Sequence, residues 1–271
     1  TNTAFLGLGN GGPHPAWLRS ESGEWTDQLF LSSIVAVDAD TGRMKWYYQQ
    51  VPGDSWDFTA TAPMVLADIE IDGEIRPVLM QAPKNGVFYV LDRDTGELLR
   101  ADPYTRINWT TGIDLETGRP AINPQVDYRD GGKLVWPSGA GGHGWQPMAY
   151  SPRTGLAYVP VYDTGMDQAA MASAEFVPGN INQATTGVFP PFAEERLAGR
   201  EQGNFEGRLK AWNPLTGEAK WMSEPLPFLN GGTMVAGDLV FQGTSAGNLD
   251  AYDAATGAKL ASIPIGTVIT S

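Results

Sequence analysis

Asp57, Asn10 and Lys84 are the side chains of this sequence whose types and settings could do chemistry. Asp57 stands beside Trp56 on the loop that leaves a strand-like run, where a carboxylate next to a large aromatic can be held half out of water and act as a base. The plainer reading makes it a solvated residue of the Gly53-Asp54-Ser55 turn. Asn10 follows a short apolar run, residues 4–8, within Gly9-Asn10-Gly11-Gly12, whose glycines let the backbone turn sharply or approach a ligand. It is either a turn residue or an oxygen donor for a hard cation such as calcium. Lys84, in Pro83-Lys84-Asn85-Gly86, reads as a solvated turn cation unless its loop shares one end of the fold with Asp57 and Asn10. The run Gly139-Ala140-Gly141-Gly142-His143-Gly144-Trp145 permits a backbone to lie close to something large and flat, but no helix follows it to make a phosphate cradle.

The elements that must position these groups are strands. Residues 32–59 run apolar through Ile34 to Val37, turn at Asp38-Ala39-Asp40-Thr41-Gly42 and return through Met44-Lys45-Trp46-Tyr47-Tyr48, the pattern of a β-hairpin with a glycine-bearing loop. Thr-Gly after an apolar run recurs with Gly at 42, 96, 155, 217 and 257, spacings of 40 to 62 residues that suit propeller blades. Trp46 and Trp221 each fall four residues after such a glycine and read as wedges between blades. Asp72-Gly73 between two apolar runs predicts a further hairpin. Only residues 163–206 do not read as strands; they include a helix-like Ala/Met stretch at 166–174, and an insertion of that length in a repeat architecture is a functional loop or a packing excursion.

Composition narrows the partners. A formal charge of −13 argues against nucleic acid, whose phosphates demand a basic face, and against an anionic membrane surface. The absence of cysteine excludes disulfides, thiolate metal sites and cysteine nucleophiles within these 271 residues, and two histidines exclude a His-rich zinc site. No apolar run reaches the length of a membrane span. With 33 Gly, 20 Pro and 42% apolar residues the chain suits a turn-rich all-β fold. It opens at Thr1 and closes at Ser271 inside strand-like runs, so it is expected to be an internal piece of a longer protein.

Long ordered stretches, among them GNGG, LFLSSIVAVDADTGRMKWYYQQVPGDSWDFTAT, VLMQAPKNGVFYVLDRDTGELL, GWQPMAYSPRTGLAYVPV and NGGTMVAGDLVFQGTSAGNLDAYDAATG, resemble the PQQ-dependent alcohol dehydrogenases, quinoproteins of the methanol and ethanol dehydrogenase type. The resemblance implies part of an eight-bladed β-propeller, here about four to five blades of four-stranded antiparallel sheet in one domain over 1–271, truncated at both ends and carrying the insertion near 163–206. It also implies oxidation of a small alcohol to an aldehyde, with Asp57 as base and calcium ligand, Asn10 as calcium ligand, Lys84 on the quinone oxygens and Asn230 as a further cofactor contact. Electrons would pass to a cytochrome c or a membrane quinone-reducing partner, haem c could belong to the full-length protein, and the location would be the periplasm. Gly144 replaces an Asn or Asp common in relatives near the quinone. Thr59 stands where lanthanide-using members carry a second Asp, which favours calcium over a lanthanide. The Glu ligand, the cysteine pair and the stacking Trp of the family would lie upstream of Thr1. The competing reading from another class is a non-catalytic propeller that serves as a scaffold for protein assembly.

Overall fold

In the computed structural model, which describes residues 2–171, 175–188, 206–228 and 230–269, the chain is all β apart from two short 3-10 turns at Ala16–Leu18 and Pro124–Val126. Strands β1 (Thr3–Gly7), β2 (Ser33–Asp38) and β3 (Met44–Gln49) form an antiparallel sheet in that order. Strands β4 (Met64–Ile71), β5 (Glu74–Gln81), β6 (Val87–Asp92) and β7 (Leu98–Pro103) form a four-stranded antiparallel sheet, its first hairpin turning at Asp72-Gly73 with φ of 54° and 83°, as a type I′ turn requires. A small hairpin, β8 (Thr110–Ile113) and β9 (Pro120–Ile122), comes next.

Strands β10 (Lys133–Val135), β11 (Ala149–Ser151), β12 (Leu156–Asp163), β13 (Met166–Ala170), β14 (Thr185–Val188), β15 (Glu206–Asn213) and β16 (Glu218–Met222) then interleave two sheets, β10-β13-β14 and β11-β12-β15-β16. Strands β17 (Thr233–Ala236), β18 (Leu239–Gly243), β19 (Asn248–Asp253) and β20 (Lys259–Pro264) close the series with a third four-stranded meander. No helix among the described residues is long and apolar enough to cross a membrane.

The recurring turn has a physical cause. In β2–β3 the Asp38 carboxylate accepts hydrogen bonds from the amides of Asp40 and Thr41, at 3.2 and 3.0 Å, and from the Thr41 hydroxyl at 2.9 Å, while Gly42 takes a φ of 69°. Asp92, Asn213 and Asp253 hold the β6–β7, β15–β16 and β19–β20 turns through the same backbone positions. Each of these four hairpins carries a register shift next to its turn, a bulge that sharpens the twist of the last strand. Gly155 differs from the others: its Thr-Gly turn joins β11 to β12, the first hairpin of its sheet, so the sequence repeat overcounts the outer hairpins by one.

The chain gathers into two compact units, Thr1–Thr61 with Ile107–Gly141 and Thr164–Gly203, and Ala62–Arg106 with Gly142–Asp163 and Asn204–Ser271. The second unit holds the three four-stranded sheets, stacked face to face through apolar side chains. Met80, Phe88 and Val90 meet Val159, Val161 and Trp212 in one core; Tyr158, Leu209 and Ala211 meet Val240 and Tyr252 in the next. Trp221 is the wedge that its spacing suggests: its indole N–H donates to the Ala254 carbonyl at 2.9 Å and its ring lies 5.8 and 6.2 Å from those of Tyr158 and Tyr252. Trp46 packs instead on Phe5 within its own sheet, 5.7 Å away.

The first unit is irregular and aromatic. Trp56 lies 5.3 Å from Trp25, 5.8 Å from Phe58 and 6.0 Å from Trp109. The helix-like stretch expected at 166–174 is corrected here, because residues 166–170 form strand β13, paired to β10 on one side and β14 on the other. Two ladders and the burial of Met166, Asp167 and Gln168 outweigh the few tenths of a kcal/mol per residue that Ala and Met give a helix, and positions 172–174 lie outside the described residues.

Candidate active site

Loop 50–62, which leaves β3, is largely buried; Asp57 and Thr59 are half-buried and Thr61 is exposed. Asp54 is fully buried, and its carboxyl accepts from the amides of Trp56 and Phe58, both at 3.1 Å, which folds the chain back on itself around Asp57. Burial pushes the Asp54 carboxyl up to about 7, against the opposing pull of those two amides. The Ser55 hydroxyl accepts from the Ala16 amide at 2.9 Å, while the Ser55 carbonyl accepts from the Tyr128 hydroxyl and from Gln168. Ser32 donates to the Phe58 carbonyl. Trp56 and Phe58, on either side of Asp57, are both buried in the aromatic cluster.

Held between these anchors, Asp57 takes a φ of 65°, a left-handed conformation that an aspartate adopts at a cost, and its side chain is 27% exposed. A partly exposed carboxylate on a left-handed backbone within a hydrogen-bonded loop has a geometry that suits a reactive group.

Asn10 reaches the same place from β1. Gly7 lets that strand pass against the loop, since a side chain there would put its Cβ 2.0 Å from the Ala60 carbonyl oxygen, and the Ala60 amide donates to the Leu8 carbonyl at 3.0 Å. Asn10 and Asp57 line one open depression of about 300 Å³, together with Gly11, His14 and Asn182. The His14 Nε2 lies 3.9 Å from the Asp57 Oδ1, beyond hydrogen-bond reach, and the His14 Nδ1 lies 3.4 Å from the Thr185 hydroxyl. Arg19 ties the two loops together: its guanidinium donates to the carbonyls of Pro13, His14 and Asp54, the last two at 2.5 and 2.6 Å. Burial holds that guanidinium below its ordinary pKa despite the Asp54 charge.

Lys84 and Asn230 belong to the second unit. Lys84 sits half-buried in the turn between β5 and β6. Its carbonyl accepts from the Gly142 amide at 2.9 Å, the Gly142 carbonyl accepts from the Tyr162 amide at 2.7 Å, and the Tyr162 hydroxyl donates to the Asn230 carbonyl at 3.4 Å. One hydrogen-bonded run therefore links both residues to the end of β12. Asn230 is buried, its Nδ2 donates to the Pro227 carbonyl, and its Oδ1 has no hydrogen-bond partner among the described residues. A buried acceptor left open in this way is a place for a ligand donor.

His143 is a structural residue, its two ring nitrogens 2.5 and 2.7 Å from the carbonyls of Ala82 and Gln146, and burial holds its pKa below the usual histidine value. Beside it, a Cβ on Gly144 would come 2.8 Å from the Gln146 Oε1, a second buried acceptor without a partner.

Residues 2–101 match the β-propeller domain family of PQQ-dependent glucose, ethanol and alcohol dehydrogenases. The quinohemoprotein alcohol dehydrogenase ADH-IIG of Pseudomonas putida is 44% identical over 274 residues, covering 96% of this chain and 37% of that protein. The chain belongs to the PQQ-dependent alcohol dehydrogenase family. Among solved structures, the quinohemoprotein alcohol dehydrogenase of Comamonas testosteroni matches with a TM-score of 0.88 and 41% identity, over 98% of this chain and 40% of that one. A europium-containing methanol dehydrogenase matches with a TM-score of 0.84 and 29% identity, over 98% and 45%. The chain thus spans less than half the length of these quinoproteins.

Three residues around this candidate site escape a reading of the sequence. Asp54 has the look of an ordinary turn residue, and nothing in Gly-Asp-Ser announces its burial. His14 lies in a loop, and Arg19 in a polar stretch with no spacing to mark it. The one legible signal is that an Asp three residues before Asp57 can fold the loop back by accepting successive amides.

Proposed function

We propose that the protein oxidises a primary alcohol to an aldehyde with PQQ and calcium, with Asp57 as the base that takes the hydroxyl proton. The observation that carries this reading is the strained, partly exposed Asp57 carboxylate in the same depression as Asn10. PQQ, when bound, supplies the two-electron acceptor for the carbinol hydride, and calcium the Lewis acid that polarises the quinone carbonyl. Asp57 and Asn10 offer the hard oxygen donors that calcium prefers, two of the six to eight it takes. Among the described residues no Lys or Arg lines that depression; the basic group there is His14, 3.9 Å from Asp57. Thr59 brings no third charge: its hydroxyl pairs with that of Thr61 at 2.8 Å, which favours calcium over a lanthanide. Toward PQQ, Lys84 would hold the quinone oxygens and the open Asn230 Oδ1 would accept from a ligand N–H.

The chain's own part in the chemistry is to orient and deprotonate. Buried Trp56 and Phe58 anchor the chain on either side of Asp57, Asp54 and Ser55 fix its backbone, and its partial exposure admits a hydroxyl. Electrons would leave to a cytochrome c or a quinone-linked partner, through a haem c where the full-length protein carries one, in the periplasm. The decisive experiment uses the full-length protein reconstituted with PQQ and calcium and follows dye reduction with ethanol. Asp57→Asn keeps shape and an oxygen donor while removing the base, so turnover should fall by about 10² to 10⁴ with PQQ still bound. Near-normal turnover with calcium in the site would end this reading.

A further inference from the structure

The loops that carry Asn10 and Asp57 meet on one guanidinium within the first unit. The Arg19 Nη1 donates to the carbonyls of Pro13 and His14, the latter at 2.5 Å, just past Asn10 in the chain. Its Nη2 donates to the Asp54 carbonyl at 2.6 Å, just before Asp57. A planar group with fixed N–H directions sets both the distance and the angle between the backbones it bridges, which a flexible ammonium does not.

The head group is itself held in place. Its Nε donates to the Gln28 Oε1 at 2.7 Å, and the Gln28 Nε2 donates to the Ala16 carbonyl at 2.9 Å. The Ala16 amide in turn donates to the Ser55 hydroxyl at 2.9 Å, so a second route of hydrogen bonds joins the same two loops. The segment that carries Gln28 also backs the Asp57 loop directly. The Gly53 amide donates to the Asp27 carbonyl at 2.9 Å, and a Cβ on Gly53 would come 2.4 Å from the Thr26 carbonyl oxygen.

Gly11 shows how closely the Asn10 turn lies on this group. A Cβ there would come 2.9 Å from the Arg19 Nε and 2.8 Å from the Leu31 Cδ1, so any side chain beside Asn10 would push the guanidinium from its place. His14, whose carbonyl Arg19 holds, has its Nε2 3.9 Å from the Asp57 Oδ1, so the same bonds also place the basic group of the depression.

We propose that Arg19 is the positioning residue of the metal site: by bridging the backbone beside Asn10 and the backbone beside Asp57 it fixes the separation of the two ligands, and so sets the calcium affinity. This inference rests on the calcium reading above. It extends that reading to a residue that is not among those lining the depression. Groups that hold metal ligands from behind commonly carry about 10- to 100-fold in metal affinity, because ligands already at the right spacing need no reordering when the ion arrives.

The test is a calorimetric titration of calcium into the full-length protein, loaded with PQQ and stripped of metal by a chelator, followed by dye reduction with ethanol at saturating calcium. Arg19→Lys keeps the charge and loses the fork, so its calcium Kd should rise about 10- to 100-fold. Its turnover should return to within about twofold of the parent's once calcium saturates, since the lost free energy lies in binding the ion and not in the chemical step. Gln28→Asn suits the left-handed backbone at that position, φ 51°, and is one methylene shorter. It should raise the calcium Kd about threefold, the worth of one modest hydrogen bond, and it decides the matter if Arg19→Lys does not fold. Arg129→Gln is the arginine control and should leave the Kd as it is, because Arg129 pairs with Asp127 and stacks on Trp17, 5.1 Å away. A calcium Kd equal to the parent's in both Arg19→Lys and Gln28→Asn, whatever their thermal midpoints, would overturn the positioning role. So would turnover that stays low at saturating calcium, which would put Arg19 in the reaction and not in the spacing. A parent protein that binds no calcium with PQQ in place would instead sink the underlying reading, and this inference with it.

Discussion

Two aspartates head loops of nearly the same design and end in opposite states. Asp38, at the β2–β3 turn, accepts from the amides two and three residues on; Asp54, after β3, accepts from the amides two and four residues on. The hydrogen bond from the Thr41 hydroxyl, with its amide, holds the Asp38 carboxyl below the usual range. Burial pushes Asp54 up to about 7. Backbone amides favour the charged form in both places, so the reversal at Asp54 comes first from desolvation, with the nearby Asp57 charge adding to it. The exposed version makes a repeatable hairpin turn, used across the sheets. The buried version makes a platform that carries Asp57, partly exposed and at positive φ.

The largest effect that would break this contrast is chemical. Asp57→Asn should cost about 10² to 10⁴ in turnover, whereas Asp40→Asn, on the exposed β2–β3 turn, should leave turnover as it is; dye reduction with ethanol compares the two directly. Next comes the pH dependence of stability without calcium. At a pH below the ordinary carboxylate value Asp54 is protonated in folded and unfolded chains alike; between that value and about 7 only the folded loop keeps the proton, so stability should fall as pH rises through this window and level off above it. Asp54→Asn cannot ionise, and urea titrations from pH 4 to 8 should show a flatter profile. An unchanged slope would mean that the loop does not hold a buried, proton-bearing carboxyl.

Smaller effects sharpen the turn side of the comparison. Gly257→Ala should cost about 2 to 4 kcal/mol, because a Cβ at φ 75° would also sit 2.5 Å from the ring of Trp221. Gly42→Ala, at φ 69° with open space around it, should cost only about 1 to 2 kcal/mol in the same denaturant assay. Equal losses would show that Trp221 is not a tight wedge. Last and least, Asp38→Ala should lower the thermal midpoint slightly at neutral pH and not at all in strong acid. The lowered Asp38 pKa contributes stability that is present above the ordinary carboxylate value and lost as pH falls through the lower folded one.

What could be read from the residues in order was whatever repeats locally or depends on one side chain's type. The Asp-x-x-Thr-Gly turns, the Asp72-Gly73 hairpin and the apolar strands are encoded within a few positions, because hydrogen bonds to near backbone and left-handed glycines act over that range. The oxygen donors Asn10 and Asp57 were legible by type and by family resemblance, and their shared depression needed the fold. Three things were decided by tertiary structure alone. Residues 166–170 became β13 because two strands were there to pair with it, against their own helical leaning. Gly155 took a different hairpin from its look-alikes because its turn joins β11 to β12 as the first hairpin of its sheet, with β13 and β14 intervening in sequence before β15. Asp54 became a buried platform rather than a wet turn because Arg19 and Tyr128, from distant parts of the chain, bond to the loop's carbonyls while the loop's own Trp56 and Phe58 are buried. Local sequence sets which hydrogen bonds a loop can make; the removal of water, which decides what those bonds and charges are worth, belongs to whatever the fold packs against them.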